Sequence, residues 1–436
     1  MKYKIVAFIA MLLVVLWSCK PAKQPVLTNQ DISKTINKMA AIMIHDVTNP
    51  PLAARFFAYS CLAGYEVVAE NDPAFKSMKG RLNKYPDIKK PGDIGNCDYR
   101  LSAVLSIMKT AEKLQPSGSL MSDYEQKFLD SCKQVGFSSS TIETAIEYAE
   151  AVSHQVLVYA KADNYNRISN YTRYSPAGKQ GAWEPTPPVY MAAVEPYFNT
   201  IRPFTLDSAS QFLPVPPLPF STDKNSGFYK QVMIVYQEAG DKLTPEQRAI
   251  AGFWDCNPFA VENRGHLMIG IKKISPGAHW MGITGIACKQ KNVSFSKTMQ
   301  IYTAVAIGLT DGFICCWDAK YHFNLIRPET AIRKYIDPNW KPLLQTPPFP
   351  EYLSGHSVVS CASATILAHY FGPDFHYTDN IEQGYGIPPR TFSSFKQAAD
   401  EAAISRLWGG IHFKDAIENG KLQGQKVGEL VLSKLN

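Results

Sequence analysis

Apolar positions along this chain recur at helical intervals. Ile32, Ile36, Met39, Ile42 and Met43 mark one face of a first amphipathic segment. Pro50-Pro51 interrupts it, and an alanine-rich apolar run follows from Leu52 to Ala69. Residues 100–114 and 120–160 continue in this style, rich in Ala, Glu, Lys, Leu and Tyr. Strand-like alternation between turn residues is scarce, and no fixed-period repeat is visible. The pattern predicts an all-α protein.

The pattern breaks once. Ten of the thirty prolines fall between Pro176 and Pro219, interleaved with Trp183, Tyr190, Tyr197, Phe198, Phe204 and Phe212. Proline at that density forbids regular helix, and so many aromatics argue against a loose linker. We therefore expect an ordered belt over 173–224, lying across the surface between a helical half at 30–172 and a second at 225–436. In the second half, Ser357 to Phe371 is an unbroken small and apolar run closing at Gly372. Another helix is expected over about 396–408, broken by Gly409-Gly410.

The first residues read differently. Lys2 and Lys4 precede an apolar run from Ile5 to Leu16 that is short for a membrane span. It ends in Leu16-Trp17-Ser18-Cys19, which is similar to a bacterial lipobox. The expectation is a lipoprotein signal peptide over 1–19, lipidation at Cys19 and a tether over 20–29. The chain would then be exported and membrane-attached by its lipid alone, in the periplasm or at the cell surface.

Composition narrows the partners. The formal charge of +7, with 45 basic against 38 acidic residues, includes no long basic run with interleaved aromatics, so nucleic acid is not expected. Eight cysteines follow Cys19. None forms a C-x2-C pair, which argues against a structural zinc site, while their even number in an exported chain permits disulfides. Cys315 and Cys361 lie in small, apolar runs that suit buried thiols. Assembly into a homo-oligomer is open.

The chemistry is concentrated in the last quarter. Lys320-x6-Arg327-Pro328 comes first, then Ser354-Gly355-His356, then Ser405-Arg406-x5-His412. Lys320, Arg327 and Arg406 offer three cations that would repel one another unless an anion joined them. Ser354 and the Gly355 N–H add neutral donors at a helix start, where free amides and the dipole favour a bound anion. His356 and His412 are imidazoles suited to acid–base or covalent work. Taken singly each pattern has a bland reading, as a solvated charge or a structural histidine. Their order and spacing together describe a pocket for a tetrahedral oxyanion.

This set resembles the superfamily joining vanadium-dependent haloperoxidases to type 2 phosphatidic acid phosphatases (PAP2) and bacterial acid phosphatases. The family pattern is K-x6-RP, PSGH and SR-x5-H, matched here except that Leu353 stands where proline is usual. Loss of that proline is expected to loosen the loop. The resemblance implies a helical bundle of the PAP2/haloperoxidase type, in which Lys320, Arg327, Ser354, Gly355 and Arg406 hold the oxygens of vanadate or phosphate. His412 would be the axial vanadium ligand, or the nucleophile of a phosphohistidine, and His356 the acid–base group. Family members often carry an acid four residues after the axial histidine. That position is Ala416 here, and Asp415 is the nearest candidate to orient His412.

Trp317 and Phe349 occupy the two aromatic positions of the chlorinating haloperoxidases and are candidates for a halide pocket. Lipid phosphatases of the family mostly span membranes several times, and the soluble acid phosphatases are generally shorter. The resemblance therefore implies an enzyme that oxidises halide with hydrogen peroxide at a histidine-bound vanadate and passes the product to an organic acceptor. The alternative is an acid phosphatase of phosphomonoesters. A glycan-binding surface lipoprotein would leave the three cations and two histidines unexplained.

Overall fold

In the computed structural model, residues 25–92, 97–264 and 267–435 are described. Cys19 and the leader lie outside them. Thirteen α-helices occur among the described residues, with two short antiparallel hairpins. The all-α expectation holds.

Helix α1 (Asn29–His45) starts at a capping box in which Thr28 and Asp31 satisfy each other's backbone amides, and it buries Ile32, Ile36, Met39, Ile42 and Met43. Pro50-Pro51 then opens a helix. Asn49 caps α2 (Pro50–Asn71), and the prolines occupy first-turn positions where no amide is needed. The remaining N-terminal helices are α3 (Tyr99–Leu114), α4 (Ser119–Gln134) and α5 (Ser139–Lys161). In the second half come α6 (Gly227–Glu238), α7 (Pro245–Phe253), α8 (Pro276–Gln290), α9 (Phe295–Phe323), α10 (Pro328–Tyr335), α11 (Gly355–Phe371), α12 (Phe395–Trp408) and α13 (Lys414–Leu435). The hairpins are β1 (Val261–Arg264) with β2 (Leu267–Gly270), and β3 (Tyr377–Asp379) with β4 (Arg390–Phe392).

Helix α9 is the axis. Its 29 residues are buried on nearly all sides, and it packs against α2 from the first half and against α8, α11 and α13 from the second. Among the described residues it alone is long and apolar enough to cross a membrane, and its apolar window is wholly buried inside the protein. One continuous apolar core runs from Leu27 to Leu435. Helix α13 reaches α11 through Gly420, Gly424 and Gly428. A Cβ on Gly424 would lie 2.1 Å from the Val358 carbonyl oxygen, so only glycine permits this approach.

The belt is ordered, as its aromatics suggested, but it does not merely lie on the surface. Trp183, Phe198 and Phe204 are buried. Asp311 of α9 accepts hydrogen bonds from the Phe204 amide (2.8 Å) and from the Thr205 amide (2.7 Å) and hydroxyl (2.6 Å). Val194 O accepts from Trp317 Nε1 and Tyr321 Oη. These bonds satisfy backbone groups that proline-rich chain cannot satisfy through a helix or ladder.

The eight described cysteines are all free thiols, so the disulfides permitted by their number do not form. Cys315 is buried, while Cys361 is only partly so.

Candidate active site

Four chain segments converge behind one narrow cleft, whose walls include Gly355, His356, Arg406, His412, Trp317 and Phe349. Lys320 comes from the last turn of α9. That helix stops at Asn324, whose left-handed conformation (φ 49°) suits asparagine, and whose amide closes on the Lys320 carbonyl. The chain reverses there and delivers Arg327 to the N-cap of α10. Ser354 is the N-cap of α11, its Oγ accepting from the Ser357 amide at 3.3 Å. Arg406 ends α12. Gly410, at φ +76°, then turns the chain so that His412 faces back.

Lys320, Arg327, Ser354, Arg406 and His412 are each at most 3% exposed. Burying three cations side by side is costly without compensation. Lys320 Nζ donates to the carbonyls of Pro350 (2.9 Å), Glu351 (3.1 Å) and Leu353. The loop carrying Leu353 is held at its backbone by these bonds. Residues 351–354 are fully buried, and Lys320 ties their backbone down in place of a ring constraint. Arg327 donates from Nε to Phe349 O and from Nη1 to Ile411 O, both at 2.8 Å. Arg406 donates from Nη2 to Trp254 O at 2.7 Å and from Nε to Ser405 Oγ at 2.9 Å.

Sequence reasoning missed the partner of His412. Asp415 instead accepts from the Ala416 amide and approaches Gln231. The orienting acid is Glu351, whose Oε1 lies 2.8 Å from His412 Nδ1 and accepts the Phe413 amide at 2.8 Å. Glu351 sits 61 residues before the histidine, inside the FPEYLSGH segment, so no local spacing could have announced it. With Nδ1–H given to the carboxylate, Nε2 carries the lone pair and receives Arg327 Nη1 at 3.1 Å.

The electrostatics place these groups together. Burial pushes Lys320 down to about 7, with Arg327 reinforcing the shift, and Arg327 down to about 10. His412 is held well below the usual imidazole range by burial and then by Arg327, Lys320, Arg406 and His356. His356 is likewise held well below it by burial and then by Arg406. Burial, with Asp415, lifts Glu351 to about 8. Everything here strains toward neutrality, and an anion would reverse the penalty on every cation.

Two polar atoms point to the same need. Arg327 Nη2 and His356 Nε2 are buried without hydrogen-bond partners, while the His356 ring is fixed by the Trp254 carbonyl. A buried guanidinium N–H lacking an acceptor suits the oxygens of a tetrahedral oxyanion such as vanadate or phosphate, and the partnerless imidazole nitrogen is open to a hydroxyl on such a group. Trp317 and Phe349 meet at 4.9 Å on the wall, with Lys320 Nζ 5.0 Å and the Arg327 guanidinium 5.1 Å from the Phe349 ring.

The chain is similar to known proteins over most of its length. A family model described as the VCPO second helical-bundle domain matches residues 300–436. A crystal structure described as a bacterial vanadium-dependent iodoperoxidase superposes with a TM-score of 0.88 at 42% identity, covering 94% of this chain and 98% of that one. The apo form of a bacterial vanadium-dependent chloroperoxidase shares the fold at 14% identity and a TM-score of 0.64, covering 89% and 95%. The holo form does so at 15% and 0.60, covering 95% and 96%. No curated protein sequence matches. With near-complete coverage at 42% identity, this chain belongs to the vanadium-dependent haloperoxidase family.

Proposed function

We propose that this protein is a vanadate-dependent haloperoxidase that oxidises iodide with hydrogen peroxide. The observation that carries the reading is His412, buried among Arg327, Lys320 and Arg406 with its Nε2 lone pair fixed by Glu351. Lys320, Arg327, Arg406, Ser354 Oγ and the Gly355 amide would hold the vanadate oxygens, and His412 Nε2 its vanadium. Bound there, vanadate supplies Lewis-acid activation of peroxide without a change of metal oxidation state.

The chain's own groups do the rest. His356 Nε2, unprotonated and unpartnered, takes a proton from incoming hydrogen peroxide, and its imidazolium returns one to the departing water oxygen. Arg406 and His356 share the Trp254 carbonyl, so the acid–base group and a binding cation are positioned together. Trp317 and Phe349 form an apolar wall beside the cations, where a weakly hydrated halide is favoured over water. The balanced reaction converts halide, peroxide and one proton to hypohalous acid and water.

Iodide follows from the 42%-identical relative, which is described as an iodoperoxidase. The leader over 1–19 and lipidation at Cys19 would anchor the enzyme outside the cytoplasm, where the hypohalous product meets an organic acceptor. Purified protein reconstituted with orthovanadate should form triiodide from iodide and peroxide, and the same assay with chloride, bromide and monochlorodimedone ranks the halides. Vanadate-insensitive failure with every halide, alongside p-nitrophenyl phosphate hydrolysis that vanadate inhibits, would transfer the site to phosphatase chemistry.

A further inference from the structure

Behind the cleft wall lies a second cluster that the oxyanion cage does not use. Cys256 follows α7, His279 is on α8, and Glu382 follows β3. All three are buried. Cys256 Sγ lies 3.4 Å from His279 Nδ1, Glu382 Oε1 lies 3.6 Å from that nitrogen, and Sγ to Oε1 is also 3.6 Å. Around a tetrahedral zinc ion, bonds of about 2.3 Å to sulfur and 2.0–2.2 Å to nitrogen and oxygen set the ligand atoms about 3.3–3.6 Å apart. The triangle already has those dimensions.

The outer contacts have the same sense. His279 Nε2 sits 2.8 Å from Asp379 Oδ2, and Asp379 Oδ1 accepts the Ile381 amide. A carboxylate there takes the Nε2 proton and leaves the Nδ1 lone pair facing the sulfur and the Glu382 oxygen. This carboxylate–histidine relay is what a metal-binding imidazole uses to fix its tautomer. Trp254 stacks on the His279 ring at 4.8 Å and 26°, which holds the imidazole plane. Protons hold the three groups together when no cation is present, the Cys256 thiol donating to Glu382 and the imidazole pairing with the two carboxylates, and a divalent cation would take the place of those protons.

We propose that Cys256, His279 and Glu382 form a binding site for a tetrahedral divalent cation of the zinc class. Three protein ligands leave a fourth position, which Cys256 brings to the cleft wall. The cation would staple the loop after α7 to α8 and to the β3–β4 hairpin. Two residues before Cys256 stands the Trp254 carbonyl that receives both Arg406 and His356, so the staple would fix the wall of the oxyanion cage. The ligands lie 23 and 126 residues from Cys256, which is why the absence of C-x2-C spacing concealed them.

Metal analysis of the full-length protein, gel-filtered in chelator-treated buffer after expression with added zinc, tests the site. Stoichiometric zinc is expected, falling at least about tenfold in Cys256→Ser and in Glu382→Gln. Cobalt replacement should give a thiolate-to-cobalt charge-transfer band in wild type that Cys256→Ser lacks. Should Cys256→Ser fail to fold by circular dichroism, Glu382→Gln carries the comparison. Wild-type protein without stoichiometric metal and without the cobalt band would mean that protons alone hold the cluster together, and the proposal falls. Zinc retained undiminished in both variants would put the ion elsewhere and equally overturn it.

Discussion

Two buried imidazoles in this molecule, His412 and His279, each sit 2.8 Å from a carboxylate. Their surroundings turn the same pairing to opposite ends. Beyond Glu351, His412 meets cations, and its protonated form is suppressed by burial and by Arg327, Lys320 and Arg406. Burial also opposes charge on His279, but Asp379 and Glu382 outweigh it and its affinity for protons rises. A histidine–carboxylate pair has no fixed meaning by itself. The sign of the charge around it decides whether the site awaits an anion or a cation.

That contrast can be broken most severely at His412. His412→Ala should lower vanadate-dependent halide oxidation by about 10^3-fold or more, because on the proposed reading the group it removes would hold the vanadium. The same variant should leave the metal content at Cys256 unchanged. Triiodide formation and elemental analysis on one preparation check both statements.

Exchanging the two carboxylates one at a time comes next. Glu351→Gln keeps an acceptor for the Phe413 amide but replaces the carboxyl that orients His412 through Nδ1. Vanadate affinity, read from activity against orthovanadate concentration, should weaken about 10- to 100-fold. Asp379→Asn should leave vanadate affinity nearer the wild-type value and weaken the bound divalent cation instead. If both substitutions affected vanadate equally, the two dyads would not be electrostatically distinct.

A smaller effect concerns pH. In oxyanion-free protein Lys320 is pushed from 10.5 down to about 7 by burial. Between those values the unfolded chain holds a proton that the folded chain has released. The Lys320 contribution to stability therefore rises with pH across this window and is least favourable below 7. Relative to Lys320→Met, wild type should gain at most about 1.4 kcal/mol per pH unit there. Urea unfolding of both proteins at pH 8, 9 and 10 measures the slope, and saturating orthovanadate, which keeps the lysine charged, should flatten it.

Smallest is the aromatic wall. Phe349→Leu removes the ring beneath Lys320 and Arg327, an interaction worth about 0.5–2 kcal/mol. The KM for iodide should rise a few-fold to about 10-fold, with kcat nearly unchanged.

Much of this was legible because it is local. The apolar face of α1, the glycine stop after α11 at Gly372 (φ 95°) and the Gly409-Gly410 turn each follow from a few neighbouring residues. The cage residues were legible for a different reason: one chemistry demands that many cations and imidazoles in that order. Glu351 was hidden because its role depends on a loop folding back onto the α12–α13 turn. Cys256, His279 and Glu382 were hidden likewise, being joined only by tertiary packing. The belt's reach into the core also escaped, since Asp311 reads as an interruption in an apolar run until Phe204 and Thr205 arrive to use it.

The three glycines of α13 carry a consequence of their own. Gly420 lies against Ser354 O and Ser357, and the Ser354 amide in turn bonds Ala416 O. A single methyl added on this seam would wedge the two rods apart and drag the first turn of one out of register with the other. Tolerance to mutation should therefore be poor along a contact whose glycines touch no substrate, because the turn they hold in place is the one that carries Ser354 and His356.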